Sequence, residues 1–232
     1  MRKRLTLFGS LCLLFAFILP AYAENKRSEN GKNLQTEPLF KDGKGYYSYK
    51  QPIKVEVPKG KVKIHYFYRY GCEVCLNADD YLKLYAARHS DKVELIRVPA
   101  FEKGDPFTAQ MNATFAAYGG PELSDKFLFD SAGRKGEQSL VENNNAIKRW
   151  LAQNSVDIDA FYQLFLSEKV KQQVEQDRSQ FRQFSPPITP MAVLNGKYLL
   201  IHNTLYNDDY TYAVLDFLVE KLLQEQQVTG EK

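Results

Sequence analysis

Hydrophobic residues along the chain follow two periodicities, which together predict strands alternating with helices. Val62 to Tyr68 (VKIHYFY) is aromatic and β-branched and predicts a buried strand, and Val93 to Val98 (VELIRV) predicts a second one. Between them, apolar residues at positions 75, 78, 82, 85 and 86 have the spacing of a helix. Short edge strands are predicted at Tyr46 to Tyr49 and at Val55 to Val57.

The second half of the chain predicts a helical block, a hairpin and a final helix. Residues 107–185 are mostly helical in pattern, with separate helices predicted at Phe107–Tyr118, Asn143–Gln153, Asp159–Leu166 and Glu168–Phe184. Asn195-Gly196 lies between two apolar runs and is a strong signal for a two-residue β-hairpin. A last helix is predicted over residues 212–224. Because strands before and after the block must share one sheet, we expect one α/β domain with a helical insertion.

The first 23 residues have the features of a secretory signal peptide. Three basic residues (Arg2, Lys3, Arg4) precede an apolar run from Leu5 to Leu19, and Ala21-Tyr22-Ala23 matches the small-x-small cleavage pattern. The run is too short to cross a hydrocarbon core of ~30 Å, which argues against an uncleaved membrane anchor. The sequence therefore predicts export and cleavage, with the mature chain in the periplasm.

The predicted signal peptide also accounts for the net charge. The chain has 31 basic and 28 acidic residues, and removing the three basic residues at positions 2–4 leaves 28 of each. A mature chain without net positive charge is not typical of nucleic-acid-binding proteins. Residues 24–45, which follow the predicted cleavage site, are polar and predict a flexible lead-in.

Cysteine usage points to redox chemistry. Cys12 lies in the predicted signal peptide, so the mature chain retains only Cys72 and Cys75, at the predicted junction of a strand and a helix. A disulfide that closes so small a loop removes little entropy from the unfolded chain and stabilises the fold weakly. The free N–H groups and the dipole of a helix N-terminus instead favour a thiolate at Cys72. We therefore expect Cys72 to be the nucleophile and Cys75 the resolving cysteine.

Two other roles compete for this cysteine pair. A zinc site needs two further ligands, and the three histidines of the chain (His65, His89, His202) are not paired at a spacing typical of zinc sites. A purely structural disulfide is the second alternative, and the size of the loop argues against it. We expect no metal and no other cofactor.

The motifs in their order resemble the DsbA family of thiol–disulfide oxidoreductases in the thioredoxin superfamily. YGCEVC follows a strand and opens a helix, VELIRVPAF comes next, and ITPMAVLNGKYLL follows the helical block. The similarity covers roughly residues 45–225. It implies a thioredoxin-like fold with a mixed central sheet over residues 46–106 and 186–228, and a helical insertion over residues 107–185. It also implies that Pro190 is cis and that the backbone of Thr189 binds an extended substrate chain.

The same resemblance implies a function and partners. We expect a periplasmic enzyme that introduces disulfides into reduced secreted proteins and is reoxidised by a membrane, quinone-coupled partner similar to DsbB. A reductase or isomerase with the same active site, and a redox-silent peptide-binding or chaperone module, are the alternatives. Nothing in the sequence demands an oligomer, so we expect a monomer.

Two positions depart from the family pattern. The family usually has Pro-His between the cysteines, where this chain has Glu73 and Val74. A carboxylate beside the sulfur disfavours the thiolate, so we predict a less acidic Cys72 and a weaker oxidant. The family also often has an acidic residue six positions before the first cysteine, and here that residue is Tyr66.

Overall fold

A computed structural model of the protein describes residues 38–230. The predicted signal peptide and residues 24–37 of the predicted lead-in lie outside the described residues. Within this described range, six strands form one mixed sheet in the order β1-β2-β6-β5-β3-β4. Their bounds are Lys41–Asp42 (β1), Gly45–Ser48 (β2), Val62–Tyr68 (β3), Val93–Pro99 (β4), Met191–Leu194 (β5) and Tyr198–Ile201 (β6).

The two strongest strand predictions lie next to each other in the sheet. β3 pairs in parallel with β4, with Val62 opposite Val93, and antiparallel with β5, with Phe67 opposite Met191. Six of the seven residues of β3 are buried. A strand covered on both faces has apolar side chains at successive positions rather than at alternate ones. This is the pattern of VKIHYFY.

The hairpin between β5 and β6 forms at the dipeptide predicted from sequence. Asn195 and Gly196 have φ values of 48° and 67°, the left-handed conformation that a type I′ turn requires at both central positions. A Cβ atom on Gly196 would also collide with the backbone carbonyl of Ile53. Both the turn geometry and this close approach therefore require glycine.

Seven α-helices cover the sheet or extend from it within residues 38–230. α1 follows β3 directly, α2 to α6 lie between β4 and β5 in the chain, and α7 follows β6. Their bounds are Glu73–Arg88 (α1), Phe107–Tyr118 (α2), Pro121–Ser131 (α3), Asn144–Gln153 (α4), Ile158–Phe165 (α5), Glu168–Phe184 (α6) and Asp208–Gly230 (α7). None of these helices has the length and apolar character needed to span a membrane.

The structure differs from the sequence predictions mainly at short and polar elements. Residues 55–57 form no strand, and the fold begins before residue 46, because β1 and β2 start at Lys41 and Gly45. The buried ring of Phe40, which packs edge-on against Phe217 of α7, anchors this end of the predicted flexible lead-in. α3 was not predicted as a separate helix, and α7 begins at Asp208 rather than at residue 212.

Two faces of the sheet carry separate cores. On one face, the largest cluster joins β3 and α1 to α7 and to the helical insertion, and it contains the rings of Tyr66, Tyr68 and Tyr70. The tyrosines before the cysteines therefore fill the core. On the other face, Phe67 packs with Phe184 of α6.

One charged residue is buried in α6 without an opposite charge. Asp177 is 7% exposed, and its Oδ1 accepts a hydrogen bond of 2.9 Å from Nε2 of Gln173. Burial raises the pKa of Asp177 from 3.8 to about 6, against the smaller opposing effect of Gln173. The folded protein therefore holds this proton more tightly than the unfolded chain does.

We expect Asp177→Asn to stabilise the protein at neutral pH but not in acid. Ionisation of Asp177 opposes folding as the pH rises from about 4 to above 6, and it should destabilise the wild type by roughly 1–3 kcal/mol at neutral pH. Urea unfolding of both proteins at several pH values measures the difference. A stabilisation that does not change between about pH 4 and pH 7 would contradict this assignment.

Candidate active site

The two cysteines form a disulfide at the start of α1. Their Cα atoms are 5.1 Å apart. β3 ends at Tyr68, a short loop follows, and Cys72 is the N-cap residue of α1 with an extended backbone conformation (φ −107°, ψ 104°). The sulfur of Cys72 accepts a hydrogen bond of 3.2 Å from the backbone N–H of Cys75. Cys72 thus takes the place of the serine, threonine or aspartate that commonly caps a helix.

This position makes the two sulfurs chemically unequal. Cys72 is 4% exposed, whereas Cys75 is fully buried. A negative charge on Cys72 would face the unpaired N–H groups and the positive end of the dipole of a 16-residue helix. When the disulfide opens, Cys72 is therefore the sulfur that another thiol can reach and the one better able to hold a negative charge.

A cis-proline lies at the same end of the sheet. The Thr189–Pro190 peptide bond is cis, and Pro190 directly precedes β5. Because Met191 pairs with Phe67, the residues before Met191 lie beside the end of β3 that leads to Cys72. A groove of about 530 Å³ runs from this point, and its lining includes Arg69, Phe101, Glu102, Phe181, Ile188 and Thr189.

The disulfide has an acidic residue beside it, and the nearby basic residue does not balance that charge. Glu73 lies in the first turn of α1 and is exposed, and Val74 beside it is 45% exposed. The nearby cation Arg69 is engaged elsewhere, since its Nε lies 3.2 Å from Oε2 of Glu102. The only formal charge in the dipeptide between the cysteines is therefore the Glu73 carboxylate.

Tyr66 does not replace the family's acidic residue chemically, but it does contact the site. Its hydroxyl donates a buried hydrogen bond of 2.5 Å to the backbone carbonyl of Cys75. Burial raises the pKa of Tyr66 well above 10, and the negative charge of Asp79 raises it further. Tyr66 therefore stays a neutral donor that holds the first turn of α1 on β3.

A cluster of four charges, with the buried Asp79 at its centre, lies one helical turn further along α1. Asp79 is 2% exposed, its Oδ1 lies 2.7 Å from Nε of Arg97, and its Oδ2 lies 2.8 Å from Nζ of Lys83. Asp125 of α3 contacts the same Arg97 and Lys83. Burial raises the pKa of Asp79, although Arg97 and Lys83 oppose the shift. The cluster is neutral when all four groups are charged, and it joins α1 and β4 to the helical insertion.

This cluster is not predicted by the local sequence pattern. The spacing of four residues between Cys75 and Asp79 places both on one face of a helix and was an available signal. The pairing of Asp79 with Arg97 was not, because it depends on how α1 packs against β4.

Disulfide exchange is the chemistry that this arrangement supports, and the thioredoxin superfamily is the class of protein that it defines. No family model matches the chain. The chain is 36% identical to an uncharacterised protein of Haemophilus influenzae over 97% of this chain and 99% of that one. It is 26% identical to the thiol:disulfide interchange protein DsbA of Azotobacter vinelandii, over 78% of this chain and 84% of the relative.

Solved structures show the same fold. The crystal structure of Pseudomonas aeruginosa DsbA matches with a TM-score of 0.65 at 22% identity, over 83% of this chain and 97% of that one. The oxidoreductase DsbA of Xylella fastidiosa matches with a TM-score of 0.63, over 79% and 98%. The thioredoxin-like fold with an inserted helical domain is therefore confirmed. The chain belongs to the DsbA-like thiol–disulfide oxidoreductases of the thioredoxin superfamily.

We expect Glu73→Gln to lower the pKa of Cys72 in the reduced protein by roughly half a unit to one unit, because it removes a carboxylate beside the thiolate. The ultraviolet absorbance of the thiolate, followed against pH, measures this change. Asp80→Asn is the matched control, because it removes the same charge from an exposed position further along α1. Equal shifts in the two variants would contradict a local effect of Glu73.

Proposed function

We propose that this protein oxidises thiols of secreted proteins in the periplasm, with Cys72 as the nucleophile and Cys75 as the resolving cysteine. The position of Cys72 at the N-cap of α1 is the observation that carries the proposal. A protein oxidises client thiols when its own disulfide is reduced more readily than the disulfide that the client forms. This requires a stable reduced form of the protein. Stabilising the Cys72 thiolate by helix amides stabilises the reduced form.

The reaction transfers two electrons from the client to the enzyme. A client thiolate attacks Sγ of Cys72, the Cys72–Cys75 bond breaks, and Cys75 leaves and takes up a proton. A second client thiolate then attacks the client sulfur of the mixed disulfide. The client leaves with a new disulfide, Cys72 leaves as a thiolate, and both enzyme cysteines are reduced.

Client binding is proposed at Thr189 and Pro190. Pro190 has no N–H group, so it cannot donate a hydrogen bond to a neighbouring strand, and the regular pairing of β5 starts only at Met191. An extended client segment would pair with the backbone of Thr189, just before the start of β5. The groove beside Thr189 has apolar side chains at Phe101, Phe181 and Ile188 to accept client side chains.

The cellular setting is part of the proposal. The signal-like sequence of residues 1–23 supports export. In that compartment a membrane, quinone-coupled partner similar to DsbB would restore the Cys72–Cys75 disulfide after each cycle. We propose a monomer whose thioredoxin-like part comprises residues 46–106 and 186–228 together with β1 and the first residue of β2, and whose helical insertion comprises residues 107–185.

A reductase or isomerase would use the same residues in the opposite direction. The Glu73 carboxylate favours this second candidate, because it destabilises the Cys72 thiolate and so weakens the oxidant. The free amides of α1 act against that effect. The balance between the Glu73 carboxylate and the helix amides decides whether the protein oxidises or reduces its clients.

We expect the oxidised protein to restore activity to a reduced, unfolded model protein with native disulfides. The reduced protein, regenerated by dithiothreitol, should reduce insulin only slowly. Cys72→Ala should abolish both activities. Cys75→Ala is the matched variant: its Cys72 thiolate can still attack a disulfide of insulin and release one insulin thiolate, but Cys75 is absent and cannot displace the bound chain. Mixed disulfides between Cys72 and insulin should therefore accumulate and be visible on a non-reducing gel.

Other outcomes would identify the alternatives. Fast insulin reduction without oxidation of the model protein would favour a reductase. Full cellular activity of Cys72→Ala would favour a redox-silent chaperone.

A further inference from the structure

The loop that carries Cys72 is held from the side of the helical insertion. The backbone N–H of Gly71 donates a hydrogen bond of 3.0 Å to Oγ of Ser131, the last residue of α3. Ser131 is 1% exposed, and its own hydroxyl donates to the carbonyl of Leu128 at 3.1 Å. Because the hydroxyl proton of Ser131 is donated to the carbonyl of Leu128, Oγ acts as the acceptor for the N–H of Gly71.

Two further contacts from the insertion converge on the same loop. The N–H of Tyr70 donates to Oγ1 of Thr108 in α2 at 3.4 Å. Gly71 has φ +72°, and a Cβ atom there would lie 3.1 Å from the methyl groups of Val141. The peptide groups before the nucleophile are thus fixed by residues of α2, of α3 and of the loop before α4.

We propose that Ser131 is a positioning residue for Cys72, acting through the Gly71 peptide. Gly71 is the residue before the N-cap, so the orientation of its peptide group sets the direction in which Cys72 enters α1. That direction decides whether Sγ of Cys72 lies close to the backbone N–H groups of the first turn. In the structure Sγ accepts a hydrogen bond from the N–H of Cys75. The helical insertion thereby contributes to the reactivity of the nucleophile.

The effect of losing this contact follows from the burial of Ser131. An alanine at position 131 offers no acceptor, and a buried N–H without a partner is unfavourable. The Gly71 peptide would turn toward another acceptor and carry Cys72 with it. The thiolate would then be less well aligned with the helix amides, so the reduced form would lose stabilisation. This inference rests on the proposed role of Cys72 as nucleophile.

The first test compares Ser131→Ala with the wild type. We expect a higher pKa of Cys72, seen as a shift of the pH profile for alkylation of the reduced protein by iodoacetamide. We also expect the equilibrium with glutathione to move about three- to tenfold toward the oxidised protein. Neither readout depends on the identity of the client or on the redox direction in the cell.

Ser124→Ala is the matched control. Ser124 lies in the same helix, is 3% exposed, and shares its hydroxyl with Tyr70 Oη (2.8 Å) and with Asn112 Oδ1 (2.8 Å). It makes none of the hydrogen bonds to the loop backbone. We expect this variant to lose thermal stability while its alkylation profile stays that of the wild type, and Ser131→Thr, which keeps the hydroxyl, to retain that profile as well.

Two results would overturn the proposal: an unchanged alkylation profile in Ser131→Ala, or equal shifts in Ser131→Ala and Ser124→Ala. Failure of the proposed function looks different. In that case the wild-type disulfide itself would not exchange with glutathione or with client thiols, and the variants could not differ in that exchange.

Discussion

The hydrogen bond from the backbone N–H of Cys75, in the first turn of α1, to the sulfur of Cys72 is the interaction on which the rest of the site depends. It exists because a buried strand ends at Tyr68 and a helix begins at Glu73, with only a short loop between them. The strand fixes the position of the loop, and the helix supplies the positive end of its dipole. Two cysteines with the same spacing elsewhere in the fold would not lie at the positive end of a helix dipole, so neither sulfur would be favoured as the thiolate.

The helical insertion contributes more than a cover for the sheet. Asp125 of α3 completes the charge balance of Asp79, Arg97 and Lys83 beneath the active-site helix. Removing two ions from water is unfavourable unless each finds a well-placed partner, and this cluster provides such partners across the junction of the two parts. Asp177 of α6 has no such cation, and its raised pKa is the consequence.

Opposing electrostatic effects meet at the dipeptide between the cysteines. The helix amides favour a negative charge on Cys72, and the Glu73 carboxylate disfavours it. Arg69 does not neutralise this carboxylate, because it is paired with Glu102 at the rim of the neighbouring groove. Both effects act within the first turn of α1, on a fold that the protein shares with solved DsbA structures.

Local patterns in the sequence determined β3, β4, the Asn195-Gly196 turn, most helix bounds and the placement of the cysteines, because each depends on neighbouring residues. Pairings between distant residues were decided only by the tertiary structure. The bond from Gly71 to Ser131 spans 60 positions, and α3 and β1 have weak local signals that packing overrides. Periodicity shows which face of an element is buried, but it does not show which partner covers that face.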